Sequence, residues 1–224
     1  MNSMKKNILI IGFGDIAKRL TNNLNKDLYN IYGVSRQDKE NKNFIKWDWL
    51  SRELPSLDNI DFESIVFIPK PSSSSERGYK DGFINSIKNI QKLLSTISFN
   101  KFISISSTRI YGKDKNRVFN ELDDPKPNDY RGRIISIYEE NQIQNYGDKL
   151  LILRFSGLYD SDSTKISKNH LHRNNAAKII QFFIENNFNN SSYEIFNCSE
   201  DSNNLSNISN EKIKELGFIF DQYH

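Results

Sequence analysis

The stretch that most constrains the fold lies near the start of the chain. Ile8-Leu9-Ile10-Ile11 is wholly apolar and runs straight into Gly12-Phe13-Gly14-Asp15-Ile16-Ala17. An apolar run without polar alternation predicts a strand buried on both faces. Asp15–Asn25 then places Ile16, Ala17, Leu20 and Leu24 at helical spacing. Strand, glycine turn and helix in direct succession match the pattern G-x-G-x-x-A. Gly12 permits the tight turn, Gly14 lets the backbone approach a pyrophosphate, and Ala17 allows close helix–strand packing. The helix start offers unpaired N–H groups and a partial positive charge to phosphates. Gly12, Phe13, Gly14, Asp15 and Ile16 are therefore expected to bind a dinucleotide. A tight turn holding no ligand is the plainer alternative.

The alternation continues along the chain. Further strands are predicted at Ile31–Val34, Phe44–Trp47, Ser64–Ile68, Lys101–Ser106, Leu150–Phe155 and Tyr193–Asn197. Helices are predicted at Phe83–Ile97, Gly132–Asn145, Arg173–Glu185 and Asn210–Leu216. This order predicts an α/β fold, a doubly wound and mostly parallel sheet with helices on both faces. Pro69–Arg77, Gly112–Asp129 and Tyr159–Asn169 are predicted loops that follow strands, so they are candidate site walls. A length of 224 residues suits one domain. A small substrate-side lobe is expected within it, from about residue 155 to 224.

Composition removes several function classes. Thirty-one basic against 28 acidic residues give a net charge of +3, too little for a nucleic-acid surface. No apolar run approaches the roughly 20 residues that span a bilayer. The apolar run after Lys5 and Lys6 falls short of a secretory signal, so a cytoplasmic protein is expected. Cys198 is the single cysteine, which excludes an intrachain disulfide and a cysteine-built metal site. Of the three histidines, His170 and His172 form a His-x-His pair and His224 ends the chain. The pair reads as a loop or helix start rather than a ligand set, and no metal is expected.

The second predicted strand ends in Ser35-Arg36. An acid near this point would hold a ribose 2′-hydroxyl. A guanidinium can instead pair bidentately with a 2′-phosphate, and a serine hydroxyl can add a hydrogen bond. NADP is the expected cofactor, with NAD as the alternative. Asp48, between Trp47 and Trp49, can accept from an adenine amino group, and Pro69 closes the fourth strand beside the cofactor.

These residues, with those that follow, resemble the extended short-chain dehydrogenase/reductase family, in particular its atypical, epimerase-like branch. The resemblance runs from Asn7 to about Gly217. Its strongest piece, Ser106-Ser107-Thr108-Arg109-Ile110-Tyr111-Gly112, is similar to a family segment whose Ser or Thr hydrogen-bonds the reacting oxygen. That implies site roles for Ser107 and Thr108. Asn120-Glu121-Leu122 through Pro127 resembles a family loop, which leaves Glu121 between substrate contact and loop anchoring. Arg154–Tyr159 resembles a family strand end, with Asp160 where a glycine is usual. His170–Ala177 resembles a family segment with both its acids replaced by amides, and Phe196-Asn197-Cys198 resembles its last strand.

The family's Tyr-x-x-x-Lys pair is missing. In the register that aligns Gly132–Glu139 with the family helix, Arg131 takes the tyrosine position and Ile135 the lysine position. Tyr130 stands one residue early and is the first candidate acid/base, with Tyr111, Tyr159 and His172 as further candidates that are more often structural in such positions. An ordinary tyrosine, near pKa 10, is a poor base at neutral pH without a neighbouring cation. Arg131 and Arg133 offer charge but stay protonated. Glu139 is expected to pair locally on its helix. The resemblance implies an NAD(P)(H)-dependent oxidoreductase or epimerase acting on a small polar substrate such as a nucleotide sugar, and a homodimer. A dinucleotide-binding sensor or scaffold without turnover, and a cofactor-free interaction module, remain as rival readings.

Overall fold

The computed structural model describes residues 4–37, 43–51, 53–57, 60–114, 117–186, 192–201 and 206–223. Residues 115 and 116 of the predicted loop 112–129, and His224, lie outside them.

Seven strands form one wholly parallel sheet. In chain order they are β1 (Lys6–Ile11), β2 (Tyr29–Ser35), β3 (Phe44–Lys46), β4 (Asp61–Phe67), β5 (Ser98–Ser107), β6 (Leu150–Phe155) and, after a separate ribbon, β9 (Glu194–Cys198). Their order across the sheet is β3-β2-β1-β4-β5-β6-β9. The chain therefore winds outward from β1 to β3, then returns past β1 to begin winding the other way at β4. Loops leaving β1 and β4 diverge at this reversal and open a crevice at the strand ends.

Alternation within each strand builds two cores. Leu9 and Ile11 of β1 and Ile65 and Phe67 of β4 face one layer, which holds α3 (Ser86–Leu94) and α4 (Tyr130–Tyr146). Ile8, Ile10 and Val66 face the other, which holds α1 (Asp15–Asn23), α5 (Arg173–Glu185) and α6 (Glu211–Glu215). Side chains such as Ile87, Ile90 and Leu93 are fully buried. Each contributes about 1.5–3 kcal/mol from burial. None of the described helices is long and apolar enough to cross a membrane.

Three local departures from the sequence expectations matter for the site. The helix expected from Phe83 begins earlier, as α2 (Glu76–Tyr79), because Ser75 caps it by accepting from the Gly78 N–H at 3.1 Å. A π-helical turn over Lys80–Asn85 joins α2 to α3. Two short strands, β7 (Gly157–Tyr159) and β8 (His170–His172), pair in parallel around the predicted loop Tyr159–Asn169. Meanwhile α5 and β9, from the same C-terminal part, belong to the main layers.

Candidate functional site

The turn after β1 takes the shape its glycines demand. Gly12 has φ +96°, and a methyl group there would stand 2.3 Å from the Ile68 carbonyl oxygen. Only glycine meets both conditions without strain. The Gly12 and Phe13 N–H groups both point to the Val34 carbonyl at 3.2 Å, which ties the turn to β2. Gly14 caps α1 with no side chain, and a methyl group there would meet nothing within 4 Å. The first-turn N–H groups of α1, which no intrahelical carbonyl can reach, thus begin beside open space. Asp15 is exposed, and its carboxylate is countered by Arg19 at 3.0 Å and Arg173 at 3.3 Å. Phe13 packs edge-on against Phe44 at 4.6 Å, over Gly33 of β2.

The candidate adenosine-side residues stand at the ends of β2 and β3. Ser35 is nearly buried, and its Oγ accepts from the Gln37 N–H at 3.2 Å. Arg36 is exposed, its guanidinium 5.8 Å from the centre of the Trp49 ring. Asp48 is exposed and uses Oδ1 to accept from the Leu50 N–H at 3.1 Å, an Asx turn that leaves Oδ2 available.

A cavity of about 810 Å³ opens over the carboxyl ends of the sheet strands β4, β5 and β6. Ile16 of α1 and Pro69 after β4 form one side. Ser107 and Thr108, where β5 passes into a 3-10 turn, form the floor together with Ser106. Ser107 Oγ accepts from the Arg109 N–H at 3.3 Å, and Thr108 Oγ1 lies 3.3 Å from Ser156 Oγ. Ile16, Pro69, Ser107 and Thr108 therefore meet in one cavity, whereas Gly12, Phe13, Gly14, Asp15, Ser35, Arg36 and Asp48 do not line it.

Tyr130 does not line the cavity. It is the first residue of α4, and its hydroxyl donates to the Ser74 carbonyl and accepts from Arg131 Nε at 3.2 Å. Ile135 does line the cavity, so the lysine position of the resemblance presents an apolar side chain there. Arg131 lies over the Tyr79 and Tyr130 rings at 5.4 and 5.6 Å. Asp129 caps α4 by accepting from the Gly132 N–H at 2.9 Å and pairs with Arg109 at 2.6 Å. Burial raises the Asp129 pKa, but these two partners outweigh it and hold the carboxyl below its ordinary range.

Beneath the floor lies a buried ion pair. Arg154 Nη2 donates to Glu139 Oε2 at 2.7 Å, both side chains being almost fully buried, and Ser106 Oγ also donates to Glu139. Glu139 thus pairs across the fold to β6, not locally along its helix as the sequence suggested. Arg154 Nη1 donates to the Tyr111 hydroxyl at 2.6 Å, which itself lies 2.9 Å from Asn197 Oδ1. Burial drives the Tyr111 pKa up to about 12 against the pull of Arg154. Glu121 anchors its loop by accepting from the Asn197 N–H at 2.7 Å. Of the histidines, His172 caps α5 by accepting from the Asn174 N–H at 3.2 Å, and His170 Nδ1 lies 2.9 Å from the Ser167 carbonyl.

Lys113, Asn128 and Lys168, from the two later loops expected to wall the site, do line the cavity, and so do Tyr79 and Phe83, to which the sequence assigned no site role. For Tyr79 a signal was available. Ser75 followed by Glu76 is a helix start, and it would have placed Tyr79, left between the predicted loop 69–77 and the helix predicted from Phe83, on a helix.

No protein-family model matches the chain, and no curated protein sequence matches it. Solved structures do. A Methylobacillus flagellatus protein assigned as an NAD-dependent epimerase/dehydratase superimposes with TM-score 0.75 at 17% identity, over 97% of this chain and 93% of that one. UDP-glucuronic acid 4-epimerase from Bacillus cereus, solved with NAD, gives 0.69 at 18%, over 88% and 78%. The dTDP-4-dehydrorhamnose reductase of Bacillus anthracis, solved with NADP, gives 0.69 at 16%, over 90% and 77%. At these identities the likeness establishes the fold: the chain has the Rossmann-type α/β architecture of these proteins.

Proposed function

We propose that this protein belongs to the atypical, epimerase-like branch of the extended short-chain dehydrogenases/reductases. In this reading it binds NADP(H), or NAD(H), and acts as an oxidoreductase or epimerase on a small polar substrate such as a nucleotide sugar. The observation that carries the reading is the open space beside Gly14, where α1 begins, in a turn whose other glycine is held at φ +96°. A diphosphate fits there because α1 offers first-turn amides and the Asp15 charge is already countered by two arginines. Arg36, with Ser35 beside it, would hold a 2′-phosphate, and Asp48 Oδ2 would accept from the adenine amino group. When bound, the nicotinamide supplies or takes a hydride. The chain's own part is to orient the reacting carbonyl or hydroxyl, the role assigned here to Ser107 and Thr108. The NAD- and NADP-bound structural neighbours support this cofactor class.

A second reading, a dinucleotide sensor without turnover, is favoured by Ile135 on the cavity wall where the resemblance calls for lysine. Titration of NADPH fluorescence, followed by a search for its oxidation over carbonyl and nucleotide-sugar substrates, separates the two. Oxidation on one substrate supports the enzyme, and tight binding with none supports the sensor. Gly14→Trp should weaken NADPH at least 100-fold, about 2.7 kcal/mol, while leaving the protein folded. Unchanged binding in that variant removes the phosphate turn from the proposal.

A further inference from the structure

Interconverting a carbonyl and a hydroxyl requires a proton carrier at the oxygen. Three phenols near the site are committed to the scaffold. Tyr111 is held in the buried Arg154 network, Tyr138 is fully buried with its hydroxyl 2.7 Å from Ser104 Oγ, and Tyr159 donates to Glu200 at 2.8 Å. Tyr130 donates to the Ser74 carbonyl and does not line the cavity. Among the described residues that line the cavity, Tyr79 is the one tyrosine.

Its placement is built rather than incidental. Gly78 passes so close to Ser73 that a methyl group would stand 2.6 Å from the Ser73 backbone nitrogen. One turn later, a methyl group on Gly82 would stand 2.5 Å from Pro71 Cα. These two contacts clamp the segment carrying Tyr79 against the loop that follows β4. The π-helical turn that begins at Lys80 sets the Phe83 ring in a stack on Tyr79, with centroids 5.8 Å apart and planes 19° apart. Such turns recur at functional sites. The Arg131 guanidinium lies 5.4 Å from the Tyr79 ring centre, so a permanent positive charge stands beside the phenol. The other charged groups lining the cavity are the Arg109–Asp129 pair, Lys113 and Lys168. Asp129 is held ionised by its partners, and both lysines are exposed.

We propose that Tyr79 is the catalytic residue that carries the proton to and from the substrate oxygen, in a cavity whose α4 wall offers Ile135 instead of a titratable group. The proposal rests on the NAD(P)(H) reading above. In the reducing direction a bound reduced nicotinamide would supply, on its own oxidation, the hydride and two electrons that the carbonyl carbon gains. The Tyr79 O–H bond breaks, a new O–H bond forms on the substrate oxygen, and the phenolate regains its proton from water.

The test is NMR of the protein labelled with 13C at tyrosine Cζ, with the Tyr79 signal assigned by its loss in Tyr79→Phe. NADP+ is added to saturation, with NADPH binding followed in parallel by fluorescence. The expected result is that Tyr79→Phe binds NADPH within threefold of the parent chain. The Tyr79 signal should move on adding NADP+, and the Tyr130 signal should not. On any carbonyl the parent chain reduces, kcat should fall at least 100-fold in Tyr79→Phe and stay within threefold in Tyr130→Phe. Coenzyme binding with an unmoved Tyr79 signal, or full turnover by Tyr79→Phe, overturns the role of Tyr79 alone. Absence of coenzyme binding overturns the reading beneath it as well.

Discussion

At the carboxyl end of β1 the polar backbone faces open space, whereas at the carboxyl end of β6 the polar side chains face one another. Around Gly14 there is nothing within 4 Å of where a side chain would start. Around Arg154, by contrast, Glu139 and Tyr111 fill the hydrogen-bonding directions of a guanidinium that is almost fully buried. Both places sit at strand ends of the same parallel sheet. One keeps its hydrogen-bonding capacity for something that arrives. The other uses it internally, fixing β5, β6 and α4 beneath the cavity. The difference teaches that position at a strand end makes a residue a site candidate, and that satisfaction of its polar atoms decides whether it remains one.

The comparison can be broken most directly at the ion pair. Glu139→Ala leaves the Arg154 charge buried without its partner and should cost about 3–5 kcal/mol, read from urea denaturation. A loss below about 1 kcal/mol would mean that the pair is not a structural keystone. Next in size is the contrast between the two glycines. Gly12→Ala combines a left-handed φ with a 2.3 Å approach to the Ile68 carbonyl and should cost about 2 kcal/mol or more. Gly14→Ala, which adds a methyl group to open space, should stay within about 1 kcal/mol in the same denaturation assay. Equal losses would erase the distinction between a turn glycine and a site glycine.

Two smaller effects sharpen it further. Arg36→Ala should weaken NADPH about tenfold, roughly 1.4 kcal/mol, and leave NADH nearly unchanged in a parallel fluorescence titration. Equal weakening of both coenzymes would refute the 2′-phosphate assignment. Asp129→Ala removes the cap of α4 and should cost about 1 kcal/mol at pH 7. The Asp129 pKa is lowered in the folded chain, so its contribution is present above the unfolded carboxyl range near 4 and fades as pH falls through the folded value. The gap between parent and variant should therefore close at acid pH, as measured by thermal unfolding across that range.

Much of this architecture was legible in the sequence because it rests on local rules. Apolar runs such as Ile8–Ile11 gave the buried parallel strands, and the glycine spacing gave the turn. The site was legible only in part. Ser107, Thr108, Pro69 and Ile16 do meet in the cavity, since each follows directly from a strand end or a helix start. Tyr130 was a candidate by its closeness in sequence to a missing tyrosine. A neighbouring position on a helix points about 100° away, and its hydroxyl settles on Ser74 instead. The Glu139–Arg154 pair could not be foreseen, because nothing local relates residues on a helix and a strand that meet only once the sheet is assembled.

By itself the sequence determined the alternation of strands and helices, the position of the first turn and the charge beside β2, for these depend on neighbours within a few residues. Only the tertiary structure decided which polar groups are consumed and which stay available, because burial and partner distance are properties of packed layers. That is why Glu139 and Glu121 became parts of the scaffold, and why Tyr79, set between a π-helical turn and the Arg131 guanidinium, emerged as a candidate for chemistry.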